Sequence, residues 1–104
     1  MHQDAYVNGS NSTTNTDSKT LIAAPTNGDR VYLTDIIIAN TSATATRITL
    51  TNGDTSFTLP CPVGGAVVNL NKPLVGAADT AWTFAAAASA STIYVAATGF
   101  RSRY

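Results

Sequence analysis

Arg30-Val31-Tyr32-Leu33-Thr34-Asp35-Ile36-Ile37-Ile38-Ala39-Asn40 is the most strand-like run in the chain. Its β-branched and aromatic residues suit a pleated, half-buried surface. Its phase breaks midway: Val31 and Leu33 share one face, whereas Ile36 and Ile38 fall on the other. Because side chains in a strand alternate with period two, either both faces are buried or an inserted residue resets the alternation. A single unbroken phase would turn Asp35 inward, at high cost for a carboxylate without a partner. The favoured reading is a bulge near Thr34-Asp35.

On either side of this run, short alternating stretches are separated by turn residues. Leu21-Ile22-Ala23 forms a strand closed by Pro25 and the turn Asn27-Gly28-Asp29. Ile48 and Leu50 point one way, with Arg47, Thr49 and Thr51 opposite. Asn52-Gly53-Asp54 follows, and Asn-Gly is a strong hairpin signal. Phe57 and Leu59 continue inward until Pro60-Cys61-Pro62 ends the strand. After Gly64-Gly65, Val68 and Leu70 face in, with Val67 and Asn69 opposite; Asn71 to Asp79 reads as a loop. Trp82 and Phe84 are in phase, as are Ile93 and Val95 on a last strand running toward Arg101. No segment has helical periodicity, and the alanines of Ala85 to Ala90 are too few to nucleate a helix. About seven short strands joined by Gly, Asn and Pro turns predict an all-β, antiparallel β-sandwich, jelly-roll-like or immunoglobulin-like.

Residues 1–17 read differently. The tract Asn8 to Thr16 is almost purely polar and cannot bury enough surface to offset the cost of ordering it. The expectation is a flexible, extended N-terminal arm over 1–17 and a sandwich domain over 18–104. The segment is either a disordered tail or an arm that orders against a neighbouring subunit through Tyr6 and Val7.

Composition narrows the function. Charged residues make up 12% of the chain, against a usual share of roughly 25%. Six basic residues balance six acidic ones, all of them Asp. A nearly neutral, weakly charged surface favours association. It argues against nucleic acid, which demands clustered Lys and Arg. No apolar run approaches a membrane span, and the N-terminal residues lack the basic and apolar regions of a secretion signal. With 104 residues and one cysteine, the core is small and has no internal disulfide, which leaves oligomerisation as the expected reinforcement.

Catalytic chemistry is not in evidence. The one histidine, His2, lies in the polar segment, where it could not be held against a nucleophile. Cys61, between two prolines, reads as a small buried hydrophobe with no neighbour to activate it. The acids Asp35, Asp54 and Asp79 belong to no motif, and the two Asn-Gly-Asp turns fall short of the six or more oxygens that calcium takes. No catalytic residue, cofactor or metal is expected. Trp82 could be a sugar-stacking platform, but its alternation with Phe84 places it in the core. Phe100-Arg101-Ser102-Arg103-Tyr104 concentrates aromatics and arginines of the kind enriched at interfaces. Candidate subunit contacts are therefore Tyr6, Val7, Phe100, Arg101, Arg103 and Tyr104.

The stretches Ser18 to Ala24, Arg30 to Asn40, Gly64 to Val68 with Asn71 to Leu74, and Ile93 to Gly99 resemble small β-rich virion proteins of tailed bacteriophages, notably capsid decoration (cement) proteins. The resemblance runs from about Ser18 to Arg103. It implies a structural virion protein, assembled in the host cytoplasm, that binds the major capsid protein and stabilises the head. The implied partner is the major capsid protein or another virion subunit, and the implied form a homo-oligomer, with a trimer favoured. A neck or tail subunit is the alternative within that class. A carbohydrate-binding sandwich for host attachment is the alternative outside it.

Overall fold

A computed structural model describes residues 5–88 and 92–102. Among them there is no helix. Eight strands follow one another: β1 (Ala5–Thr13), β2 (Lys19–Ile22), β3 (Arg30–Asn40), β4 (Thr46–Asn52), β5 (Thr55–Cys61), β6 (Ala66–Val75), β7 (Trp82–Ala86) and β8 (Ile93–Ser102). They form two four-stranded antiparallel sheets, ordered β1-β8-β3-β6 and β2-β7-β4-β5. The pairing is nested: β1 with β8, β2 with β7, β3 with β6, and β4 with β5. A long hairpin wound on itself in this way is a jelly roll, which decides against the immunoglobulin-like alternative.

The bulge in β3 lies where the sequence predicts it. Leu33 stands opposite Gly99 and Asp35 opposite Thr98, so Thr34 has no counterpart in β8. Val31, Leu33, Ile36 and Ile38 thereby all reach the core. They meet Ile48 and Leu50 of β4, Trp82 and Phe84 of β7, and Ile93, Val95 and Ala97 of β8. Burying each large apolar side chain contributes roughly 1.5–3 kcal/mol. Phe57, Leu59, Val68 and Leu70 pack against this core but remain half-buried.

Three local expectations need correction. Residues 5–13 do not stand apart from the sandwich. They form its first strand, paired with β8 from Ala5 opposite Arg101 to Thr13 opposite Ile93. Backbone pairing along an existing sheet edge orders them, although their side chains supply little apolar burial. Gly9 is the enabling residue, because a Cβ there would overlap the carbonyl oxygen of Leu21 in β2.

The strand after Gly65 also runs further than predicted. It skips four residues against Thr34 and resumes with Leu74 opposite Leu33 and Val75 opposite Tyr32. Pro73 is tolerated there because β6 is an edge strand.

The hairpin after β4 is offset by one residue. Asn52 pairs with Thr55, which leaves Gly53 and Asp54 as the loop. Gly53 has φ +60°, matching the primed turn that places Gly first. Asn52 is instead buried. Its amide donates to the carbonyls of Thr80 and Ala81, both at 3.2 Å, and its carbonyl accepts from the Ala77 N–H at 2.7 Å.

Candidate functional site

The outward side of the β1-β8-β3-β6 sheet follows from the alternation that builds the core. Residues between the buried ones must face away, and the strand register lines them up in rows. The first row is Tyr6, Phe100, Tyr32 and Val75, one residue from each strand. The next is polar: Asn8, Thr98, Asp35 and Asn69. The third is Ser10, Ala96, Ile37 and Val67, and the fourth is Ser12, Tyr94 and Ala39.

Large apolar groups on this face are open to solvent. Tyr6 is 68% exposed, Val67 65%, Tyr94 53%, Ile37 51% and Val75 49%. The rings of Tyr32 and Phe100 stack with centroids 4.8 Å apart and planes 8° from parallel. They stand on neighbouring strands and spend one face each on the other. Two shallow depressions, of about 300 and 330 Å³, lie on either side of Ile37 and Ala96. Among the described residues of the four rows, Asp35 carries the one charge. Its Oδ2 accepts hydrogen bonds from the hydroxyls of Thr34 at 3.3 Å and Thr98 at 3.4 Å.

The outward side of the other sheet is unlike it. Thr20, Thr83, Thr51 and Ser56 form a row across all four strands, and Ala85, Thr49 and Thr58 form the next. Hydroxyls there bond within the sheet: Thr83 donates to the Thr51 carbonyl at 3.3 Å, and the Thr51 and Ser56 hydroxyls are 3.3 Å apart. The two faces therefore offer different surfaces, one exposing large apolar and aromatic side chains around a polar row and one hydroxyl-rich.

The structure brings some of the sequence-predicted contact residues together and separates others. Tyr6 and Phe100 are direct partners in the first row. Val7 points the opposite way and packs against the core, so it fastens β1 to its own sandwich. Arg101, next in sequence to Phe100, alternates away from it. Its Nε lies 4.0 Å from an Asp29 carboxylate oxygen, beside a hollow lined by Val7, Ile22, Pro25 and Val31. Arg103 and Tyr104 lie outside the described residues, as does His2.

Ile37, Val67, Tyr94 and Tyr32 join this face without standing among the contacts that the sequence suggests. Their signal is an apolar residue on the supposedly polar phase: Ile36-Ile37-Ile38, Val67-Val68 and Ile93-Tyr94-Val95 are apolar on both parities.

The candidate chemical groups sit elsewhere. Cys61 is fully buried and its thiol pKa is pushed up by burial, with a hydrogen bond from Asn40 offsetting part of the rise. Trp82 is fully buried, its indole N–H donating to the Val31 carbonyl at 3.0 Å, so it offers no platform to a sugar. Among the described residues, no three His, Cys, Asp or Glu side chains gather in a way that could hold a metal ion. No family model matches the chain, and no curated protein matches it.

Proposed function

We propose that the chain is a structural assembly protein that docks through the outward face of its β1-β8-β3-β6 sheet onto another protein surface. The observation that carries this reading is that one face exposes Tyr6, Tyr32 and Phe100 on one side of a polar row and Ile37, Val67 and Tyr94 on the other, with Asp35 the one charge among the described rows. Large apolar and aromatic groups gathered on one face of a small domain mark an interaction site, since interface centres are poor in charge and rich in aromatics. The low charge of the whole chain agrees with a life spent packed against other subunits.

The assembly we propose is a bacteriophage particle, with the protein decorating the capsid over its major capsid protein. Support comes from the sequence resemblance and from the jelly roll, a fold recurrent in viral capsid domains. The second of these is analogy, since one fold hosts many functions. Jelly rolls also include lectins, but here Trp82 is in the core and Tyr32 and Phe100 turn ring faces toward each other. The sugar-binding alternative therefore loses Trp82, the platform that the sequence offered it.

The test is binding to capsid shells of the phage whose genome carries this chain, measured by co-sedimentation and copy number. Ile37→Lys with Tyr94→Lys should abolish binding while leaving circular dichroism unchanged, whereas Thr49→Lys on the opposite sheet should bind like the parent. Hundreds of copies per particle support decoration; about six to a few dozen point to a neck or tail ring. Equal binding by all variants, or absence from the particle, overturns the reading.

A further inference from the structure

A two-sheet sandwich has four edge strands, and each is an open row of backbone donors and acceptors unless something guards it. Three edges of this protein are guarded. β1 and β2 cover each other: Gly9 passes against the Leu21 carbonyl, and the Asn11 amide donates to the Thr20 carbonyl at 3.0 Å. β5 contains Pro60, which has no N–H to offer, and Pro62 follows directly after the strand.

β6 is different. From Ala66 to Asn71 it has neither charge nor proline, and its guards, Lys72 and Pro73, come only where its register with β3 breaks. Among the described residues its one neighbour is β3, which leaves the other edge of the strand unpaired there. Most half-buried members of the hydrophobic cluster gather on this side: Val68, Leu70 and Leu74 of β6 and Phe57 and Leu59 of β5, with Val7 of β1 the one at the opposite edge.

We infer that this edge is the seam of a two-fold homodimer, in which β6 pairs antiparallel with β6 of a second copy. The occupant is a second copy because the edge is complementary to itself. An axis through Val68 sets Val68 against its own counterpart, Ala66 against the second copy's Leu70, and Val67 against the second copy's Asn69. Inward residues meet inward residues and outward ones meet outward ones, as the period of two requires.

Charge agrees with this register. Lys72 of each copy falls opposite Gly64 of the other, at the turn where no side chain stands. The two Lys72 residues then lie eight strand positions apart, about 27 Å at ~3.4 Å per residue. Five paired residues supply the main-chain registry, and Phe57, Leu59, Val68 and Leu70 supply apolar contact. The two sheets become one of eight strands with both outward faces on the same side, doubling the docking face and its avidity. The seam itself is independent of what that face binds. It replaces the threefold arrangement implied by the resemblance with a two-fold one for the free protein.

Sedimentation velocity and light scattering on the full chain, free of any particle, test it. The parent should have twice the 10.7 kDa mass of one chain. Val67→Lys with Asn69→Lys sets two like-charged pairs directly across the seam on exposed positions, and should return the mass to that of a monomer. Thr58→Lys on β5, pointing outward from the other sheet, should stay dimeric. Val68→Cys should give a covalent dimer on mild oxidation, since directly opposed antiparallel residues lie within disulfide reach. Ile37→Cys, on the same sheet but away from the edge, should not. A monomeric or trimeric parent, a dimer indifferent to the lysine pair, or no cross-link at position 68 overturns the seam, whatever the outcome with capsid shells.

Discussion

The indole N–H of Trp82 reaches across the core to the carbonyl oxygen of Val31, 3.0 Å away, and so ties β7 of one sheet to β3 of the other. Both residues are buried, Trp82 completely. The Val31 oxygen also accepts from the Gly76 N–H at 3.0 Å, so the indole supplies its second hydrogen bond and a polar tie between the two sheets. Truncation and isosteric replacement should separate the two contributions. Trp82→Ala should cost about 3–5 kcal/mol as a large aromatic cavity. Trp82→Phe keeps much of the volume and leaves the Val31 carbonyl its bond from the Gly76 N–H, so it should cost only about 1 kcal/mol for the lost hydrogen bond. Urea denaturation of both variants measures this; a Phe variant as unstable as the Ala variant would mean that the hydrogen bond, and not the volume, carries the contribution.

The bulge at Thr34 makes a sharper prediction. Deleting Thr34 removes the extra residue: Leu33, Asp35 and Ile36 would follow one another against Gly99, Thr98 and Ala97 in unbroken alternation, with Ile36 and Ile38 still inward, so this variant should fold. Deleting Ile37 instead leaves the bulge in place and inverts every side chain beyond Ile36, so that variant should be unfolded or insoluble. Thr34→Ala, which retains the extra residue and loses only its hydrogen bonds to Asp35 and the Thr98 carbonyl, should fold with a loss of about 1 kcal/mol. A Thr34 deletion as disruptive in thermal unfolding as the Ile37 deletion would refute the phase argument.

At Gly9 the first strand passes too close to Leu21 for any side chain. Gly9→Val should lift β1 off β2 and loosen its pairing with β8. In hydrogen exchange, the amides of Val7 to Thr13 should lose protection in the variant, while those in β3, β4 and β7 keep theirs. Loss of protection throughout would show that β1 is integral to the fold, and an unchanged pattern that the close approach is not restrictive.

Cys61 serves as a reporter of folding. Burial raises its thiol pKa above the ordinary value of 9.0, so the folded protein holds the proton more tightly than the unfolded chain does. The stability this confers is fully present below pH 9.0 and is lost as pH rises from there through the folded-state value. Labelling by a thiol reagent should be slow in the native protein at pH 8 and fast in denaturant. Rapid native-state labelling would place the sulfur nearer solvent than its burial implies. Stability followed by denaturant titration should decline between pH 9 and pH 10.

Local pattern was enough for much of this fold. Alternation of apolar residues identified β2 to β5, β7 and β8 and the inward set of Leu33, Ile48, Leu50, Trp82 and Phe84, because the period of two is a property of the strand itself. The cost of burying Asp35 placed the bulge before any neighbour was known. What local pattern could not decide was whatever depends on a strand distant in sequence. The segment Ala5–Thr13 has side chains that give no reason to order; it is a strand because β8, some ninety residues later, leaves an edge to pair with and Gly9 fits against Leu21. Val75 extends β6 past Lys72-Pro73 because β3 presents Tyr32 beyond its own bulge. The docking face has the same origin. Ile37, Val67 and Tyr94 are visible in sequence as apolar residues on the wrong parity, but the register of four strands alone sets them on the same face as Tyr6, Tyr32 and Phe100, across the row of Asp35.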